Sequence, residues 1–145
     1  MGACVGCYFG FFGGVYKVKL VTGGVFSGKT EFAVSEFGIS DIKDGVDCDI
    51  SEVLTAECVK NYHIFVKRLT EKNIDPVEFT LKLCSENGDI TVIMNEVGCG
   101  IVPVEKSERE WREMCGKCGC IIAEKSSVVV RVICGIGIYI KGTKI

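Results

Sequence analysis

An apolar run, Val18-Lys19-Leu20-Val21-Thr22, passes directly into Gly23-Gly24-Val25-Phe26-Ser27-Gly28-Lys29-Thr30, which fits G-x-x-x-x-G-K-[ST]. A strand that ends in a glycine turn and opens into a helix aims backbone N–H groups and the positive helix end at one point. Gly23 and Gly28 allow backbone geometry and close approach that side chains would block. Lys29 then reaches the β- and γ-phosphates of a nucleoside triphosphate, and the Thr30 hydroxyl ligates the Mg²⁺ that travels with them. The whole stretch Gly23, Gly24, Val25, Phe26, Ser27, Gly28, Lys29 and Thr30 is therefore a candidate phosphate cradle. The bland alternative is a strand–turn–helix corner with an accidental lysine.

Length and charge limit the rest. A chain of 145 residues is long enough for one domain with a real core, and 48% hydrophobic with 25% charged residues is ordinary for a globular protein. A net charge of −2, with Lys and Arg scattered, argues against a nucleic-acid surface. No apolar run approaches the roughly 20 residues of a membrane span, so no membrane role is expected and the expected location is cytoplasmic. Ten cysteines invite a disulfide reading. That framework belongs to small secreted chains, whereas a triphosphate loop belongs with reduced thiols. Residues 1–15 make a poor signal peptide, and Gly6 stands where a myristoylation signal wants Ser or Thr. They are read as an extension with no assigned role, and 16–145 as a single domain.

Along that domain the patterns alternate. A strand over Tyr16–Thr22 leads through the loop to a helix over Lys29–Phe37, stopped by Gly38. Ile39–Cys48 is weakly patterned, with Val46-Asp47-Cys48 as a brief strand end. Asp49 with Glu52 reads as a capping box for a helix over Ser51–Glu71, with Val59, Tyr62, Val66 and Leu69 on one face. Asp75-Pro76 starts another helix that ends by Glu86-Asn87-Gly88. Ile90–Met94 is the most apolar strand candidate. Ser107 with Glu110 caps a helix over Glu108–Glu124. Ser127–Cys134 reads as a buried strand, which Gly135-Ile136-Gly137 breaks before Ile138–Lys141. Strands alternating with helices predict an α/β fold, a three-layer α/β/α P-loop-type sandwich on a mostly parallel sheet.

In such a sheet, ligands sit beyond the carboxyl ends of the strands. Glu96 falls there, two residues after Met94. It is a candidate to hold a Mg²⁺-bound water or take a proton from an attacking hydroxyl; the alternative is an acceptor for the turn at Gly98. Asp47 is the weaker candidate, a second carboxylate on the Mg²⁺ side or a surface turn residue. His63, the single histidine, has no identifiable acid or nucleophile partner and reads as a core-edge residue. Cys115, Cys118 and Cys120 fall inside a helix and do not share one face, so they read, with Cys4 and Cys7, as buried reduced thiols rather than metal ligands.

Taken in order, Thr22-Gly23-Gly24 with Ser27-Gly28-Lys29, then Asn95-Glu96-Val97-Gly98-x-Gly100-Ile101-Val102-Pro103, then Gly135-Ile136-Gly137 with Ile140-Lys141, resemble the bifunctional adenosylcobinamide kinase and adenosylcobinamide-phosphate guanylyltransferase family of cobalamin biosynthesis. The resemblance implies an enzyme that uses ATP or GTP, with Mg²⁺, to phosphorylate the hydroxyl on the aminopropanol arm of adenosylcobinamide, a corrinoid. It implies a second step that transfers GMP through a guanylylated histidine, and a homo-oligomer, a trimer in the family. Carried onto this chain, Gly23–Thr30 hold the triphosphate and Glu96 lies beside it, while Asp47-Cys48 matches an acidic-Cys strand end in two residues. The family's histidine lies in an R-I-x-x-H-x-x-R-R segment after the loop helix. Phe37 to Asp47 holds nothing of that kind, and His63 falls in a different helix. Kinase machinery is thus better supported than guanylyl transfer; the alternatives are a non-catalytic nucleotide-binding module and a kinase for another small alcohol.

Overall fold

A computed structural model describes residues 16–144; the extension 1–15, with Cys4 and Cys7, lies outside the described residues. Six strands form one sheet: β1 (Val18–Gly23), β2 (Ile42–Asp44), β3 (Cys58–Lys60), β4 (Thr91–Asn95), β5 (Ser126–Ile133) and β6 (Ile136–Lys141), in the order β2-β3-β4-β1-β5-β6. All neighbours pair in parallel except β5 with β6. The helices are α1 (Lys29–Phe37), α2 (Ile50–Val53), α3 (Tyr62–Glu71), α4 (Pro76–Glu86) and α5 (Lys106–Lys125).

Strand alternation sorts the core onto two faces. Leu20, Val92, Met94 and Val129 pack with Tyr62, Val66, Leu69, Leu83, Cys118 and Ile122 from α3, α4 and α5. Val21, Ile93, Val130 and Val132 pack with Ala33 of α1 and with Ile39. The expected α/β/α sandwich is the observed one. Among the described residues no helix is long and apolar enough to cross a membrane.

Local chemistry explains most boundaries. Asp75 accepts from the N–H groups of Val77 and Glu78 with Pro76 at the first helical position, and Gly38 ends α1 in the left-handed region with φ 65°. The Asp49–Glu52 capping box is present, but it starts a single turn.

The predicted long helix over Ser51–Glu71 is corrected. The chain leaves α2, forms β3, and turns at Asn61 (φ 54°) into α3. Val59 is buried in the sheet opposite Val92, while Tyr62, Val66 and Leu69 do share the buried face of α3. A strand of three residues, whose Cys58 and Val59 are both buried, offers no alternation to recognise. Three smaller corrections follow. The predicted strand end Val46–Cys48 is a turn after β2. Ser107 lies within the first turn of α5, whose N-cap is Glu105. Gly137 does not break a strand but lies inside β6, which folds back on β5 as a hairpin through Cys134 and Gly135.

Candidate active site

The central strand β1 delivers the glycine loop to the carboxyl edge of the sheet, between β4 and β5. Glycine is obligatory where the loop leaves the strand. At Gly23 φ is 153°, and a Cβ would stand 2.5 Å from the Val132 carbonyl oxygen. Gly28, at φ 84°, caps α1 in the left-handed region against Gly135, whose N–H donates to the Ser27 carbonyl at 2.8 Å. The β5–β6 hairpin tip thus braces the loop from one side.

Lys29 is only 8% exposed and turns back into the loop, where its ammonium donates to the Gly24 carbonyl and lies 3.4 Å from Ser27 Oγ. Burial holds this ammonium below the usual lysine range, with Glu96 and Glu31 pulling the other way. A cavity of about 490 Å³ opens over it, lined by Val25 through Glu31, by Asn95 at the end of β4, and by Lys60 and Asn61 at the end of β3. Phe26 stands fully exposed at its mouth with φ 55°.

Glu96 follows β4, and its N–H donates to the Gly23 carbonyl at 3.0 Å, tying it to the root of the loop. Its carboxylate accepts both arms of Arg131, from Nε at 2.7 Å and Nη2 at 2.9 Å. The loop after Glu96 is pinned by the first turns of α5. Arg112 donates to the Gly98 and Ile101 carbonyls, and Arg109 to those of Pro103 and Val104. Ile101 and Val104 of that loop point into solvent.

His63 is 6% exposed under the same edge. Its Nδ1 accepts from the Asn95 N–H at 3.2 Å, and its Nε2 lies 3.2 Å from the Asn95 side-chain amide. Burial, then the charge of Lys29, push its pKa down to about 4, so the ring is neutral.

The fold therefore brings Val25–Thr30 and Asn95 around one cavity, with Gly23 and Gly24 at the root of the loop and Glu96 tied to that root. Asp47 is placed elsewhere: it sits in the exposed turn after β2 and does not line the cavity. The carboxylate facing that edge is Asp44, bonded to Asn61 at 2.9 Å and paired with Lys60 at 3.0 Å. Sequence reasoning missed Arg131, Lys60 and Asn61. A lone arginine in the β-branched run Ser127–Cys134 was a usable signal; Lys60 and Asn61 were hidden by the unrecognised β3. Among the described residues no group of three His, Cys, Asp or Glu side chains is placed to hold a metal ion.

A family model described as cobinamide kinase / cobinamide phosphate guanyltransferase matches residues 40–140, a span from just before β2 into β6 that includes Glu96 and Arg131 and begins after the glycine loop. A search of curated proteins finds no match. The match covers well over half of the 145 residues and falls on the α/β sandwich expected of such an enzyme. The chain belongs to the cobinamide kinase / cobinamide phosphate guanyltransferase family.

Proposed function

We propose that this chain is a kinase that binds a nucleoside triphosphate, GTP or ATP, in the cavity over Lys29. It transfers the terminal phosphoryl group to the hydroxyl of a corrinoid alcohol of the adenosylcobinamide type. One observation carries the reading: the Lys29 ammonium is already desolvated inside the loop, beside the Glu96 carboxylate, at the carboxyl edge of a parallel sheet. The loop N–H groups and the positive end of α1 receive the phosphates, and Lys29 exchanges the Gly24 carbonyl for a phosphate oxygen. The γ-phosphorus–oxygen bond to the leaving diphosphate breaks as the bond to the acceptor hydroxyl oxygen forms. The acceptor's proton passes to a Glu96 oxygen, which retains free lone pairs beside the Arg131 contacts.

When bound, Mg²⁺ would supply neutralisation of the triphosphate's charge. The Thr30 hydroxyl would hold an ion that arrives with its phosphates, and the Glu96 carboxylate would serve as an acceptor for its waters. Asp47 stands away from the cavity and takes no part. The guanylyl step is not assigned to His63, whose neutral ring is buried against Asn95.

Triphosphate consumption measured with and without adenosylcobinamide tests the reading. Stimulation by the corrinoid, with phosphorylated product, is expected. Nucleotide binding without stimulation would make the chain a non-catalytic module, and stimulation by a different alcohol would reassign its substrate. Glu96→Gln is expected to keep nucleotide affinity and to lose about 10²–10⁴-fold in turnover. Near wild-type turnover would make Glu96 structural.

A further inference from the structure

The ion pair between Glu96 and Arg131 has a particular place in the sheet. Glu96 follows β4 and Arg131 lies on β5, with β1 between them. Arg131 stands opposite Thr22 in the β1–β5 register, and Thr22 stands opposite Met94 in the β1–β4 register. The guanidinium therefore reaches over the last residues of β1, at the root of the glycine loop, to grip a carboxylate on the far side. Its side chain is 47% exposed while that of Glu96 is 19% exposed, so the acid is the more enclosed partner. On β6 its cross-strand neighbour is Ile138, which is exposed. Arg131 is itself exposed, so burial of an apolar face does not explain a charged residue at this position.

We propose that Arg131 is the positioning residue for Glu96: its two-pronged grip fixes the carboxylate plane beside Lys29 and the triphosphate cavity. The inference rests on the kinase reading above. A planar fork making two parallel N–H···O bonds sets both the position and the rotation of a carboxylate, which one ammonium cannot do. Two further contacts make the frame rigid: the Glu96 N–H to the Gly23 carbonyl, and the Gly135 N–H to the Ser27 carbonyl, each anchoring a neighbouring strand to the same loop. The Cys99 thiol, 3.7 Å from Glu96 Oε2, is the only other side chain bonded to that carboxylate among the described residues. Without the arginine, the acid is free to rotate toward Lys29 or solvent.

A double-mutant cycle tests this, using Arg131→Met, Glu96→Gln and the pair, assayed with the magnesium triphosphate and adenosylcobinamide. Arg131→Met should lower kcat about tenfold, the scale of coupling between contacting groups, with the nucleotide KM within about threefold of wild type. Arg131→Lys should recover only part of the loss. In the Glu96→Gln background, Arg131→Met should cost no further activity. A loss that persists in that background would place Arg131 on the phosphate or the acceptor instead, and an unchanged kcat would remove any role; either result overturns the proposal. Crystal structures of wild type and Arg131→Met give a readout that needs no turnover: a Glu96 carboxylate unmoved in the variant also overturns it. Failure of the wild-type protein to bind a fluorescent triphosphate would instead count against the kinase reading, leaving the carboxylate comparison to judge Arg131.

Discussion

At the residue scale, burial lowers the pKa of two side chains, Lys29 and His63. Lys29 stays in the loop through the Gly24 carbonyl and the nearby Glu96, so its removal deletes a preplaced cation rather than a flexible one. Lys29→Ala is expected to weaken triphosphate binding by about 10- to 100-fold, the scale of a charged hydrogen bond, while circular dichroism stays that of the wild type. Wild-type affinity in a fluorescent-nucleotide titration would refute the loop assignment. His63 makes a different prediction. Its pKa is pushed down to about 4 in the fold, so between that value and about 6.5 the unfolded chain binds a proton that the folded chain does not. Stability is therefore full above that window and falls as pH drops through it. Urea melts of wild type should lose about 2 kcal/mol more between pH 7 and pH 5 than those of His63→Gln. Equal pH dependence in the two proteins would mean that His63 opens to solvent.

At the element scale, the hairpin β5–β6 is matched to α1 through one missing side chain. A Cβ on Gly137 would stand 2.3 Å and 2.4 Å from Phe32 ring atoms, and 3.0 Å from Val130 Cγ1. Phe32 is thus seated across β6 because Gly137 leaves the space. Gly137→Ala should destabilise by about 1–3 kcal/mol through overpacking, read as a lower denaturant midpoint with an unchanged slope. Adding Phe32→Leu should return part of that loss; a variant as stable as wild type would show that the ring moves aside freely. The same element scale shows where the pattern was legible. The spacing along α3 and the Asp75-Pro76 start were readable because caps and a 3.6-residue period act locally. The three-residue β3 was not, because its place is set by pairing with β4 across 33 residues, Cys58 to Thr91.

At the scale of the whole molecule, the eight cysteines among the described residues divide by burial rather than by sequence spacing. Cys58 and Cys115 are pushed up to about 12 and Cys84 to about 11 by burial, and Cys48 and Cys118 are also buried and raised. Cys99, Cys120 and Cys134 are exposed. Alkylation at pH 8 followed by site-resolved mass spectrometry should label Cys99, Cys120 and Cys134 first. The five buried thiols should react only as fast as the protein opens, because the thiolate is the nucleophile. Rapid labelling of Cys58 or Cys118 in native protein would contradict the packing of the two cores.

What the sequence by itself determined is local or periodic: the glycine loop after a strand, the starts of α1 and α4, the strand–helix alternation and hence the layered sheet. It also placed Glu96 at the carboxyl edge, since a residue two positions past a buried strand has nowhere else to go. Tertiary structure alone decided the partners. Arg131 meets Glu96 only because β1 is inserted between β4 and β5. Asp47 is left outside the cavity because the chain turns immediately after β2. His63 is neutral because it is buried against Asn95 of β4, with the charge of Lys29 acting in the same direction. Each of these depends on strand order and on desolvation summed over neighbours distant in the chain, and neither quantity is written in any short run of residues.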